Sequence, residues 1–193
     1  FLAILGGAKV SDKIGVARNL LKKVNGLIIG GGMANTFLWA AGHPTGASRV
    51  EEDKRGDAMA VLEEAKGTSV EVLLPEDVVV AKEMTPYAET RVVPVSEIPE
   101  GWLALDIGPK TAARFCDAIK KAKTIVWNGP MGVFEMPPFA LGTRAVARAV
   151  ADAEAVTIVG GGDSVAALEK EGLKEGVTHV STGGGASLEY LEG

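Results

Sequence analysis

Leu27-Ile28-Ile29-Gly30-Gly31-Gly32 is a short apolar run that stops at glycine, and Met33 to Ala41 follows it with a helix-like pattern. A brief apolar run bounded by turn residues reads as a strand buried on both faces, as in a parallel sheet. The chain repeats this pattern in Leu2-Ala3-Ile4-Leu5-Gly6-Gly7, Ala104-Leu105-Asp106-Ile107-Gly108-Pro109, Ile125-Val126-Trp127-Asn128-Gly129-Pro130, Thr157-Ile158-Val159-Gly160-Gly161-Gly162 and His179-Val180-Ser181-Thr182-Gly183-Gly184-Gly185. In each, the carboxyl end of a strand turns sharply toward a helix. Glycine at such a turn permits positive φ and brings backbone N–H groups close to a ligand. Helix N-termini add partial positive charge. Several such turns along one sheet edge make a phosphate-binding surface, where ligands sit in open α/β sheets.

The segments between the runs fill in the layers. Ile14, Ala17, Leu20, Leu21 and Val24 recur at helical spacing, so Ser11 to Val24 is expected to be an amphipathic helix. Glu51 to Lys66 reads as a charged helix, with Glu51 to Arg55 a solvated face, and Val70 to Leu74 as a third strand. Asp77 to Val95 breaks the rhythm. Val78-Val79-Val80 and Arg91-Val92-Val93 flank Thr85-Pro86-Tyr87, which predicts an antiparallel hairpin beside the main sheet. Leu103 to Ile107 is expected as a fourth main strand. The pattern predicts an α/β fold: a doubly wound, mostly parallel, Rossmann-like sheet in a three-layer α/β/α sandwich, with a small hairpin excursion. No internal linker separates domains, so residues 1–193 read as one domain.

Composition narrows the class. The chain has 193 residues, enough for a real core, and 25 of them are glycine, about 13% against a usual roughly 7%. The excess sits in the turns. A net charge of −5 argues against nucleic acid but not against a nucleotide, which local turns can bind on an acidic protein. One cysteine, Cys116, permits no disulfide within the chain, and two histidines with one cysteine cannot build a His/Cys zinc site. A cytoplasmic setting fits, and no apolar stretch has the length of a membrane helix. Phe1 begins inside the first strand, so an amino-terminal part is expected to precede it.

Three constellations carry chemistry. If a helix starts near Gly6-Gly7-Ala8-Lys9-Val10-Ser11-Asp12-Lys13, the i,i+4 spacing puts Lys9 and Lys13 on one face beside the turn. Two close cations repel unless an anion bridges them, and a transferring phosphate is a fitting partner; two solvated lysines are the plainer reading. Asp163 and Ser164 follow Gly160-Gly161-Gly162. Asp163 can cap the next helix or serve Mg²⁺, which takes one or two carboxylates with phosphate oxygens and water; Ser164 can bind phosphate. In Asn128-Gly129-Pro130-Met131-Gly132-Val133-Phe134-Glu135, Val133 and Phe134 offer apolar surface for a flat purine, with Glu135 either free for sugar hydroxyls or simply in solvent.

Two nucleotide motifs are absent. Gly108-Pro109-Lys110-Thr111 lacks the upstream glycine of a P-loop, and strand two ends in glycine where a dinucleotide fold places a ribose-binding acid. What the residues resemble instead is phosphoglycerate kinase. Gly6 to Lys13, Gly30-Gly31-Gly32-Met33-Ala34, Asp106-Ile107-Gly108-Pro109, Trp127 to Glu135, Gly160 to Ser164 and Ser181-Thr182-Gly183-Gly184-Gly185-Ala186-Ser187 follow that family's order over the whole chain. The likeness covers only the carboxyl-terminal, nucleotide-binding half of the family's protein.

The resemblance implies reversible phosphoryl transfer between 1,3-bisphosphoglycerate and Mg-ADP, giving 3-phosphoglycerate and Mg-ATP in glycolysis. It implies that Lys9 stabilises the transferring phosphoryl group and Lys13 contacts nucleotide phosphates. Asp163 would serve Mg²⁺, and Ser164 the phosphates, where many members have Thr. Gly161, Gly162, Gly184 and Gly185 would present N–H groups, with Gly161 and Gly184 nearest the transfer. Glu135 would bind the ribose, and Asn128 belongs to the same nucleotide-binding set. Gly7, Ala8, Gly31, Gly108, Pro130 and Val133 would line the adenine and ribose pocket.

The implied partners are ADP or ATP and the family's amino-terminal domain, which holds the phosphoglycerate; the parent is expected to be monomeric. Here the basic residues of that domain are missing, and the chain stops at Leu191-Glu192-Gly193 where members continue with a short tail. The isolated chain is therefore expected to bind Mg-nucleotide without turnover. An oxidoreductase dinucleotide domain and a non-catalytic nucleotide-binding module are the alternatives.

Overall fold

The computed structural model describes residues 1–181. Its elements are, in chain order, β1 (Leu2–Leu5), α1 (Ile14–Leu20), β2 (Gly26–Ile29), α2 (Met33–Ala40), α3 (Arg55–Lys66), β3 (Glu71–Leu73), β4 (Asp77–Ala81), β5 (Thr90–Pro94), β6 (Leu103–Ile107), α4 (Pro109–Lys121), β7 (Thr124–Asn128), α5 (Leu141–Asp152), β8 (Val156–Gly160), α6 (Gly162–Lys170) and β9 (His179–Ser181).

Six strands form a parallel sheet in the order β3-β2-β1-β7-β8-β9. The chain winds outward from β1 to β3 and then returns to place β7 on the other side of β1. The strand order therefore reverses between β1 and β7, where Leu5 pairs with Asn128, and such a reversal opens a crevice at the carboxyl ends of the strands.

Strand alternation builds the two covering layers. Ala3 and Leu5 of β1, with Leu27 and Ile29 of β2, face a core completed by Val16, Ala17 and Leu20 of α1, Phe37 of α2 and Val61 of α3. Leu2 and Ile4, with Ile28, Ile125 and Trp127, face the opposite core against Phe115 and Ile119 of α4, Val146 and Val150 of α5 and Leu168 of α6. The expected three layers are present. Among the described residues no helix is long and apolar enough to cross a membrane.

One expected strand lies elsewhere. Leu103–Ile107 does not join the parallel sheet; as β6 it pairs antiparallel with β4, whose other edge carries β5. An apolar run ending in Gly-Pro specifies a buried strand and a helix start, and it is silent about the strand's partner. Leu38 of α2 packs with Val78, Val80, Ile98 and Trp102 in a core of this sheet's own. Two buried carboxylates bind the small sheet to helices α4 and α5 that cover the large one. Asp77 on β4 accepts from the N–H groups of Lys110 (3.1 Å) and Thr111 (2.8 Å) at the start of α4. Asp106 on β6 accepts from the N–H of Gly142 (2.9 Å) at the start of α5. Both satisfy orphan helix donors from a distant part of the chain.

Helix α1 is also shorter than its periodicity predicts. Ser11 to Lys13 form a turn and the helix begins at Ile14. Lys9 and Lys13 consequently do not lie on one helical face.

Candidate functional site

Three glycine turns interlock at the strand ends. The Gly6 N–H donates to Asn128 O (2.9 Å), Gly7 N–H to Pro130 O (3.0 Å), Gly31 N–H to Met131 O (3.1 Å) and Met33 N–H to Gly7 O (2.9 Å). Gly31 has φ +70°, and a Cβ there would stand 2.6 Å from both Gly7 N and Pro130 O. A side chain would force the turns apart, so the backbone can approach this closely only with glycine.

Beneath the turns lies Lys13. Its side chain is buried, with Nζ donating to Gly6 O and, at 3.2 Å, to Asn128 O. Burial lowers its pKa to about 8, opposed by the charges of Asp12 and Asp163. The ammonium thus ties the end of β1 to the end of β7 from below. Lys9 is exposed and stands next to Ala8, which lines the cleft above the turns.

Helix α6 supplies the next wall. Its N-cap is Gly161, at φ +89°, and no side chain caps it. Capping is therefore not the role of Asp163, which lies exposed in the first turn and lines the cleft. A carboxylate there is favoured by the helix dipole. Gly162 is exposed beside it, at the end of the helix where backbone N–H groups have no helical partner. Ser164 points the other way: it is fully buried, and its Oγ accepts from Gly129 N–H at 2.6 Å. Asn128 is likewise buried below the surface, with its amide beneath Gly161.

The cleft between these turns and the small sheet has a volume of about 520 Å³. Of the residues expected there, Gly7, Ala8, Gly31, Pro130, Val133 and Glu135 line it, together with Asp163. Gly108 does not. It is the N-cap of α4, its N–H donates to Asp77 O, and a Cβ would meet the Asp77 carboxylate at 2.3 Å. Moving β6 into the second sheet carries Gly108 into that junction, and Leu103, Ala104 and Leu105 line the cleft in its place. Gly184 and Gly185 lie outside the described residues.

Sequence reasoning missed Asn35, Arg49 and Met84 as well as these three. Asn35 had a usable signal, since it interrupts the apolar start of α2 in Met33-Ala34-Asn35. The others come from loops and a strand whose placement depends on the second sheet. Asp106 supports the same wall. Its carboxyl also accepts from Ile107 N–H (2.9 Å), and burial raises its pKa to about 7, with the two backbone donors opposing the rise. A more open groove of about 630 Å³ surrounds Trp39, His43 and Arg55, where the Arg55 guanidinium stacks 4.5 Å from the Trp39 ring centre.

Among the described residues no three acidic, histidine or cysteine side chains cluster as a ready-made metal cage. A single exposed carboxylate beside free helix N–H groups suits a metal that arrives with phosphate oxygens.

Known proteins resemble this chain in sequence and fold. The family model for phosphoglycerate kinase matches residues 1–193. Phosphoglycerate kinase of Moorella thermoacetica is 61% identical over 193 residues, and that of Herpetosiphon aurantiacus 58%; each comparison covers all of this chain and 49% of the relative. The chain thus spans about half the length of these curated relatives. The structure of phosphoglycerate kinase from Coxiella burnetii superposes with a TM-score of 0.97 at 47% identity, over 100% of this chain and 50% of that one. The enzyme from Pyrococcus horikoshii gives 0.85 at 35% identity, over 99% and 48%. With the family model matching its whole length and the fold in common with these structures, the chain belongs to the phosphoglycerate kinase family.

Proposed function

We propose that this chain is the carboxyl-terminal, nucleotide-binding domain of a phosphoglycerate kinase. The observation that carries the reading is the cleft at the strand-order reversal, which gathers the glycine turns, Asp163 and Glu135 with the apolar Ala104, Leu105 and Val133 around one cavity. In this reading the base lies against Ala104, Leu105 and Val133, and Glu135 accepts from the ribose hydroxyls. The phosphates run toward Gly161 and Gly162 at the start of α6, with Gly184 and Gly185 carried over from the family's motif. Asp163 is the residue that would hold Mg²⁺, whose contribution when bound is to neutralise phosphate charge.

Lys9 is free to reach the phosphoryl group in transfer and to stabilise its negative charge. Lys13 acts one layer down by holding the β1 and β7 turns in place. Among the described residues no histidine lines the cleft, and a carboxylate acceptor such as that of 3-phosphoglycerate attacks without a strong base. Charge stabilisation and alignment then carry the rate.

The phosphoglycerate substrate would be held by the family's amino-terminal domain, and closure of the two would bring the substrates in line. The chain alone is then a nucleotide-binding module without turnover. The test is complementation: phosphoryl transfer to 3-phosphoglycerate is measured for the chain alone and after joining an amino-terminal phosphoglycerate kinase domain to it. Activity only in the joined protein, lost with Lys9→Ala, is expected. Turnover by the chain alone contradicts the division of labour.

A further inference from the structure

Helix α2 is buried at seven of its eight positions, and two of those seven, Asn35 and Thr36, are polar. Thr36 is accounted for, because its Oγ1 accepts from the Glu51 N–H at 3.1 Å. Asn35 is not. Only 6% of it is exposed, and among the described residues its carboxamide makes no hydrogen bond. No fully enclosed side-chain nitrogen or oxygen lacks a partner among those residues, so the amide keeps its polar atoms at an opening. Asn35 lines the cleft together with Ala104 and Leu105, and it also borders a small neighbouring cavity that Asp106 lines as well.

An amide held this way in apolar surroundings is unfavourable unless something pairs with it. A carboxamide presents a donor and an acceptor side by side. The amino group and adjacent ring nitrogen of adenine present the complementary pair, which is why Asn and adenine pair through two hydrogen bonds. The apolar walls contributed by Ala104, Leu105 and Val133 favour a flat ring but cannot distinguish one substituent on its edge from another. Of the polar groups beside them, Ser48 Oγ already accepts from the Ala104 N–H at 2.9 Å, whereas the Asn35 carboxamide makes no hydrogen bond among the described residues.

We propose that Asn35 is a specificity-determining residue, whose carboxamide hydrogen-bonds the polar edge of the purine and so favours a base carrying the 6-amino group. The inference rests on the nucleotide reading above and deepens it.

The test compares two probes, ADP and purine riboside 5′-diphosphate, which has the same ring, sugar and phosphates but no 6-amino group. Each is titrated with Mg²⁺ into the wild-type chain and into Asn35→Leu. The wild type is expected to prefer ADP by about fivefold, the usual size of one hydrogen bond in a protein site. In Asn35→Leu that preference is expected to disappear. The ratio of the two affinities is the readout, so a general weakening of the cleft cancels; Asn35→Ala serves as a second variant if the leucine form does not fold. An ADP preference unchanged in the variant overturns the role of Asn35 and leaves the nucleotide site standing. Failure of the wild type to bind either probe overturns the nucleotide reading and this inference with it.

Discussion

Ser164 Oγ accepts a 2.6 Å hydrogen bond from the Gly129 N–H, and this contact locks the first turn of α6 to the turn after β7. It is fully buried, and it joins the segment that carries Asp163 to the segment that carries Pro130, Val133 and Glu135. The relative positions of the proposed metal and ribose ligands therefore depend on a residue that reaches neither. Ser164→Ala leaves a buried donor unpaired and is expected to lower stability by about 1–3 kcal/mol. Urea denaturation of the two forms measures this, and equal midpoints with equal slopes would contradict it. Ser164→Thr keeps the hydroxyl and should recover most of the loss.

Gly31 offers a sharper test of the interlocked turns. Its φ of +70° and the 2.6 Å approach a Cβ would make to Gly7 N and Pro130 O leave no room for alanine. Gly31→Ala is expected to cost about 2–5 kcal/mol, from a left-handed backbone combined with overpacking. Thermal unfolding followed by circular dichroism should show the drop. A variant as stable as the wild type would mean that the turns are not packed as described.

Asp106 makes stability depend on pH in the direction opposite to an ion-paired carboxylate. Burial raises its folded pKa from 3.8 to about 7. Between those values the folded form binds a proton that the unfolded form has lost, so the contribution of Asp106 falls as pH rises through that window. It is fully present below 3.8 and absent above about 7. Asp106→Asn cannot ionise, and its stability should lose this component of the slope while the slopes from other groups persist. Denaturation midpoints across the window for both proteins check the difference; parallel curves would contradict it.

The parallel sheet was legible because glycine-terminated apolar runs are local signals, and five of the six runs lie where that signal put them, although the last continues beyond the described residues. The sixth, Leu103–Ile107, carries the same local signal but pairs with β4 through contacts that no local pattern encodes. Gly108 was expected in the cleft from the family resemblance; with β6 in the second sheet it lies against Asp77 at the start of α4, and Ala104 and Leu105 line the cleft instead. Lys13 was misplaced for a different reason. The periodicity of Ile14, Ala17 and Leu20 is real, but the turn at Ser11 to Lys13 delays the helix, so the spacing of Lys9 and Lys13 does not put them side by side. Ser164 and Asn128 have the residue types of ligands, and only burial distinguishes a group that braces a site from one that touches its occupant.

The central claim is that these residues hold a complete Mg-nucleotide site. Calorimetric titration of the chain with Mg-ADP, beside Asp163→Ala, tests it most directly. Saturable binding at one site, weakened about tenfold or more in the variant, is the expected result. Absence of binding by a chain whose circular dichroism shows it folded, or equal affinity in Asp163→Ala, would contradict the account.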